Sequence, residues 1–294
     1  MHTDWHIITE QISKATGRPF TLLKHHAAGG GCINTAYVLE GSSARYFVKL
    51  NDARHLAMLE AEAAGLRELA QAQAVRVPEP VCWGTTEAQS YLVMEHITFG
   101  GGATHTAEAF GQQLAALHRV SSDRHGWVRD NTIGSTPQIN TPSPDWIAFW
   151  DTRRLGYQLE LAAHQGYGGR LQRKGEQLRG HLSRLLAGHH PSASLLHGDL
   201  WSGNYAADEH GRPVIFDPAL YYGDRETDLA MTELFGGFGP RFYAAYQESY
   251  SLDAGYQVRK TLYNLYHILN HLNLFGGGYQ AQAERMIDLL LSEV

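Results

Sequence analysis

The stretch Leu195–Asn204 reads LLHGDLWSGN. A short apolar run leads into His197, Asp199 and Asn204, with glycines at 198 and 203. Such a run ends either in a polar turn, whose Asp and Asn cap backbone groups, or in groups able to take a proton and hold a metal ion. Asp217 lies thirteen residues beyond Asn204, directly after a second apolar run in RPVIFDPA. One polar loop followed by a strand pair brings all three together. Asn204 and Asp217 then offer oxygen ligands of the kind Mg²⁺ takes. Asp199 is left to accept a proton from a hydroxyl, and His197 is placed to brace the loop. The spacing H-x-D-x-x-x-x-N, followed by an aspartate after a strand, is the layout of a phosphoryl-transfer loop; H-x-D alone would say little.

A phosphoryl-transfer loop needs a lysine on a strand and a helix carboxylate to set it. RYFVKLN places Lys49 at the end of a strand-forming run, and HLAMLEAEAAGLRELAQAQ follows with helical periodicity. Leu59, Ala63, Leu66 and Leu69 make the apolar stripe of that helix, and Glu62 falls on it. A carboxylate on a buried face is costly unless paired, so Glu62 either meets Lys49 or reaches the rim and stays hydrated. AAGGGCIN lies between the first two strands, where Gly30 and Gly31 let backbone N–H groups approach phosphates; it matches neither common phosphate-loop pattern. YLVMEHI reads, from its place in the order, as a hinge strand whose backbone at Glu95 and Ile97 can pair with adenine, although its alternation suits any edge strand.

The rest of the 294 residues gives the frame. The opening MHTDWHIITEQISKATG reads as a short helix, not a secretion signal. Strand, strand, strand, helix, strand, strand follow. After GGGAT at 100–104, helical segments dominate, near 105–119, 144–163, 175–187, 226–235, 240–250, 256–273 and 280–292; the polar stretch 121–143 reads as loop. Short strands fit near 194–197, 204–207 and 213–217. This is an α+β chain with a small β-rich N-lobe, 1–99, and a larger, mostly helical C-lobe, 100–294. Composition is that of a soluble protein, 43% hydrophobic and 18% charged, with no apolar run of membrane-spanning length. Two cysteines exclude a disulfide framework and point to a reducing, cytoplasmic setting. A net charge of −6 with no Lys/Arg cluster argues against nucleic-acid binding. The 17 histidines are scattered; His267 and His271, four apart on a helix, read as a metal pair or, better, as core or substrate-pocket residues.

Together GGGCINTAYVL, YFVKLN, MLEAEAAGL, YLVMEHI, LLHGDLWSGN, FDPALYYGDRETDLAMTELFGGF and LYHILNHLNLFG resemble the fructosamine kinase (ketosamine-3-kinase) family, within the wider group of kinase-like aminoglycoside and choline phosphotransferases. Trp201 inside the loop and the DPALYYGDRETDLAM stretch point to this family in particular. The resemblance implies a bilobal protein-kinase-like fold and ATP- and Mg²⁺-dependent phosphorylation of the 3-hydroxyl of a fructosamine, ribulosamine or erythrulosamine. The phosphate then makes the sugar leave, restoring the amine of a small molecule or a glycated protein. It implies Asp199 as base, Asn204 and Asp217 as metal ligands, and Lys49, set by Glu62, on the phosphates. Trp201, Asp224, His267 and His271 become substrate candidates, although Trp201 equally suits a core. Asp228 either braces the loop or is a carboxylate favoured at a helix N-terminus. Cys32 is either a free thiol or, by analogy with redox-switched relatives, the link of a homodimer; otherwise the chain is a monomer. An aminoglycoside- or choline-type kinase would share the same catalytic residues, and a nucleotide-binding module without turnover is the reading from another class.

Overall fold

In the computed structural model, which describes residues 3–29, 34–102 and 104–294, helix α1 (Trp5–Thr16) precedes strands β1 (Leu22–Ala28), β2 (Thr35–Gly41) and β3 (Arg45–Asp52). Helix α2 (Leu56–Gln71) and strands β4 (Pro80–Thr85) and β5 (Gln89–Glu95) follow. The strands form one antiparallel sheet in the order β1-β2-β3-β5-β4. Its central strands are buried on both faces, and their side chains alternate between two cores. Val48, Leu50, Tyr91 and Val93 pack with Ile8 and Ile12 of α1. Leu92 and Met94 pack on the opposite face with Leu59 and Leu66 of α2. Lys49, between Val48 and Leu50, therefore points toward α2.

Beyond β5 come α3 (Thr104–His118), β6 (Ser121–Ser122), β7 (Asn131–Ile133), β8 (Thr136–Gln138), α4 (Trp146–Phe149), α5 (Gly156–His164), α6 (Arg170–Arg179) and α7 (Leu182–Leu185). Then follow β9 (Ala193–Leu196), β10 (Tyr205–Ala207), β11 (Pro213–Ile215), β12 (Tyr221–Gly223), α8 (Glu226–Leu234), α9 (Pro240–Ser249), α10 (Tyr256–Phe275) and α11 (Tyr279–Leu291). Helix α10 is buried around most of its circumference, from Leu262 to Leu272, and forms the axis of the helical region. β10 and β11 make a hairpin, and β9 lies between β12 and β6. Among the described residues no helix is long and apolar enough to cross a membrane.

The two regions are joined by more than the connecting chain. Gly100 N–H donates to the Ala207 carbonyl at 2.9 Å and Glu209 N–H to that of Thr98 at 3.0 Å. Arg76 bridges Glu95 at 2.6 Å and Asp208 at 2.5 Å. Trp127 Nε1 donates to Glu68 of α2 at 2.7 Å, so α2 is tied to the helical region as well as to the sheet.

Four details depart from the sequence reading. The segment expected as one helix over 175–187 is α6 and α7, separated after Arg179 at Gly180 and His181. The helix expected over 144–163 contains a π-turn at Trp150–Leu155. Gly156 N–H closes that wider turn on the Asp151 carbonyl, and a Cβ at Gly156 would lie 2.5 Å from that oxygen. The stretch 121–143 holds β6 and the β7–β8 hairpin. β12 lies inside a stretch with no strand expectation, because three residues are too few to show a period.

Helices α3 and α9 approach closely at Gly111, where a Cβ would sit 2.4 Å from the Phe242 carbonyl oxygen and 2.9 Å from Tyr246 N. Gly111→Ala is expected to lower unfolding free energy by about 1–3 kcal/mol in urea titrations, whereas Gly101→Ala, with nothing within 4 Å, should change it by under about 0.5 kcal/mol.

Candidate active site

The loop after β9 and the segment after β11 are laced together by three hydrogen bonds. Ala219 N–H donates to the His197 carbonyl at 2.9 Å, and Phe216 N–H to that of Asn204 at 3.1 Å. His197 Nε2 donates to the Phe216 carbonyl at 2.9 Å, while its Nδ1 accepts the Asp199 N–H at 3.3 Å. The turn needs Gly198: its φ is +83°, and a Cβ there would lie 2.0 Å from the Ala219 carbonyl oxygen. Asp217 also has positive φ, +58°, a cost of order 1–3 kcal/mol for a residue with a side chain. This backbone strain turns its carboxylate toward Lys49.

Lys49 Nζ bonds Glu62 Oε1 at 2.6 Å and also Asp217 Oδ1. Burial opposes charge on Lys49, but Asp217 and Glu62 outweigh it and hold the ammonium protonated beyond its ordinary range. Burial raises the Glu62 carboxyl, against the pull of Lys49. Asn204 turns its amide nitrogen to Asp199, donating to the carbonyl at 2.8 Å and to Oδ2 at 3.2 Å. Burial and the neighbouring Asp217 push the Asp199 carboxyl up to about 7, with Asn204 pulling the other way. Lys49, Glu62, Asp199, Asn204 and Asp217 line one cavity of about 390 Å³ between sheet and helices. With the Asn204 nitrogen engaged, its Oδ1 and the part-exposed Asp217 carboxylate form an oxygen donor set that suits Mg²⁺.

Other expected residues fall in different places. His197 is fully buried and touches loop backbone; burial lowers its pKa, so it is a neutral brace and not a group that meets a substrate. Asp228 accepts the N–H of His197 at 2.7 Å and of Gly198 at 2.8 Å, gripping the loop from the first turn of α8. Trp201 is exposed at the cavity wall, outside the core; its ring covers Gly203, where a Cβ would lie 2.3 Å from it. His271 lines the cavity among Phe235, Phe275 and Tyr279. Its Nδ1 donates to the His267 carbonyl at 2.8 Å, and burial lowers its pKa.

Asp224 does not join this wall. It is buried, takes hydrogen bonds from Tyr263 and His189 at 2.6 Å each, and accepts Glu226 N–H at 3.0 Å, holding the entry to α8. His267 is buried beside α10's neighbours and off the cavity wall. Glu95 uses its N–H on the Glu79 carbonyl at 2.8 Å and its carboxylate on Arg76, and neither it nor the buried Ile97 lines the cavity. Gly30, Gly31 and Cys32 lie outside the described residues. Cys82 is half-buried in β4, and burial pushes its thiol up to about 12. Sequence reasoning missed Asn131 and Thr132 of β7, and Asn270, Phe275 and Tyr279 of α10 and α11, all on the wall. Asn131 and Thr132 sit in a stretch read as loop, Asn270 and Phe275 lie within LYHILNHLNLFG without being singled out there, and Tyr279 lies in no motif.

Comparison with known proteins identifies the family. The fructosamine kinase family model matches residues 4–293. The chain belongs to the fructosamine kinase family. A probable ketoamine kinase from Synechocystis sp. is 49% identical, over 96% of this chain and 95% of that protein. A chloroplastic protein-ribulosamine 3-kinase from Arabidopsis thaliana is 45% identical over 92% of this chain and 84% of its own length. A crystal structure from Haemophilus somnus 129PT, assigned as a fructosamine-3-kinase, superposes with a TM-score of 0.90 at 28% identity, covering 98% of this chain and 97% of that one.

In this fructosamine kinase family member, His267 carries the clearest pH consequence. Burial and the neighbouring His271 hold its pKa down to about 3, and its Nδ1 has no partner among the described residues. A folded pKa below the unfolded one gives stability that is present above about 6.5 and lost as pH falls toward 3. Lowering the pH from 7.5 to 5 should therefore cost about 2 kcal/mol through this residue alone. In urea titrations at the two pH values, His267→Leu should narrow the gap by that amount; an unchanged gap would assign the acid sensitivity elsewhere.

Proposed function

We propose that the chain is an ATP-dependent kinase that phosphorylates the 3-hydroxyl of a ketosamine, a sugar joined to an amine by glycation, so that the sugar is released and the amine restored. The observation that carries this reading is the placement of Asp199 on the same cavity wall as the Lys49–Glu62–Asp217 set. The carboxylate of Asp199 takes the hydroxyl proton as the sugar oxygen bonds to the γ-phosphorus and ADP leaves. Lys49, kept charged by its two carboxylates, neutralises phosphate oxygens. A Mg²⁺ ion held by Asn204 Oδ1 and Asp217 would supply further charge neutralisation when bound. An adenine paired with the Glu95–Ile97 segment would lie beyond the wall of this cavity, and the Glu95 N–H is already engaged by the Glu79 carbonyl. Trp201 and His271 border the acceptor side, and the amine carrier, free or on a glycated protein, leaves past the exposed rings of Trp201 and Phe275. Positioning and charge provide most of the rate in such a site.

The test is ADP release, with Mg²⁺ present, on ribulose-lysine, fructose-lysine and an aminoglycoside. Turnover on a ketosamine is expected, with Asp199→Asn lowering kcat about 10²–10⁴-fold while ATP still binds. Turnover on the aminoglycoside alone would move the chain to the antibiotic-kinase reading. A second expectation concerns Glu62: Glu62→Gln should raise the KM for ATP about tenfold, because Lys49 is then drawn wholly to Asp217, and leave the acceptor KM within about twofold.

A further inference from the structure

Behind the catalytic loop lies a chain of buried polar groups that the mechanism above does not use. His118, in the last turn of α3, is 1% exposed; Tyr246 of α9 and Asp228 of α8 are each 1% exposed, and Arg225 is 8% exposed. His118 Nδ1 is 2.9 Å from Tyr246 Oη, and its Nε2 is 3.2 Å from Asp228 Oδ2. Arg225 donates to Tyr246 Oη at 3.1 Å and to the carbonyls of Tyr250 and Ser251 at 3.0 and 2.5 Å.

Donor and acceptor accounting orients every proton in this chain. A guanidinium has no acceptor, so the Tyr246 oxygen receives its hydrogen bond. The tyrosine proton is then directed to His118 Nδ1, which acts as acceptor. The remaining ring proton sits on Nε2 and points at Asp228. Asp228 Oδ2 thus receives His118 Nε2–H and the His197 N–H, and Oδ1 receives the Gly198 N–H. These two amides lead into Gly198, where positive φ and the nearby Ala219 carbonyl oxygen exclude a side chain, and they set the peptide that carries Asp199. The last torsion of a carboxylate is broad; the bond from His118 adds a third anchor to the two loop amides and fixes the tilt at which Asp228 meets them.

We infer that His118, oriented by Tyr246 and Arg225, is a positioning residue for the transferring site: it locks Asp228 in the rotamer that holds the Gly198 turn and hence the Asp199 carboxylate. This rests on the kinase reading only in making Asp199 the group that is positioned. The experiment uses His118→Leu, His118→Gln, whose amide nitrogen can replace the Nε2 donor, and Tyr246→Phe, which keeps the packing and loses one hydroxyl.

Two readouts are taken. Amide hydrogen exchange without substrate should show His197 and Gly198 exchanging about tenfold faster in His118→Leu and more modestly faster in Tyr246→Phe, with α10 unchanged. Steady-state kinetics on a ketosamine should show kcat lowered about 10–100-fold in His118→Leu and about 3–10-fold in Tyr246→Phe, with both KM values within about twofold, and most of the rate regained in His118→Gln. Wild-type exchange and kcat in Tyr246→Phe, or His118→Gln no better than His118→Leu, would overturn the inference and leave His118 a packing residue. If wild type turns over no ketosamine, the functional reading fails by itself, and amide exchange alone decides the positioning role.

Discussion

A buried ammonium has to be neutralised, and in this protein that requirement ties three separate pieces of chain to one point. The Lys49 side chain is 8% exposed, and its charge is met by Glu62 and Asp217. Lys49 comes from the sheet, Glu62 from α2 and Asp217 from the end of the β10–β11 hairpin region. Removing one partner from a buried ion pair costs about 3–5 kcal/mol, so α2, which carries the buried Glu62, cannot drift from the sheet cheaply; the part-exposed Asp217 gives the 216–219 segment a weaker tie. The same three groups face the cavity. The interaction that holds the two regions in register is therefore also one that lines the cavity.

The sheet makes this possible by having two covered faces. Because side chains alternate along β3, Val48 and Leu50 anchor the strand on α1 while Lys49 is delivered to the other side. A one-residue slip in register would send Lys49 into the apolar cluster around Ile8 and Ile12 under α1 and would turn the apolar set away from it. The second helix is then held from below by Trp127, so the carboxylate that meets Lys49 is placed by contacts with both lobes.

The catalytic loop follows a different logic. Its turn at Gly198 needs a φ that only glycine adopts at no cost, the Asp217 backbone that packs on it is strained, and both are held by polar groups: the His197 ring, the Asp228 carboxylate and, behind it, His118 and Tyr246. Few of these groups can reach solvent. A loop that must place one carboxylate beside another, against their repulsion, is held by hydrogen bonds whose loss leaves buried polar atoms unpaired, which is more restrictive than apolar packing alone.

The sequence by itself determined the order of strands and helices in the first hundred residues, the helical character of the rest, and the five polar residues of the site. Those were legible because period-2 and stripe patterns are local, and because the spacing from His197 to Asn204 and Asp217 constrains one short piece of chain. It could also narrow Glu62 to a buried face, since an apolar stripe records which side is covered. What only the tertiary structure decided is which polar residues meet across long separations. Asp224 and Trp201 both sit near the motif in sequence, yet one is sealed under α8 and the other opens onto the cavity. Asp228 grips the loop besides lying in a helix's first turn. Asn131 and Tyr279 join the wall from elements with no motif, and His118 reaches Asp228 across 110 residues. Burial and hydrogen bonding depend on what packs opposite a residue, and a periodic pattern shows only that something does.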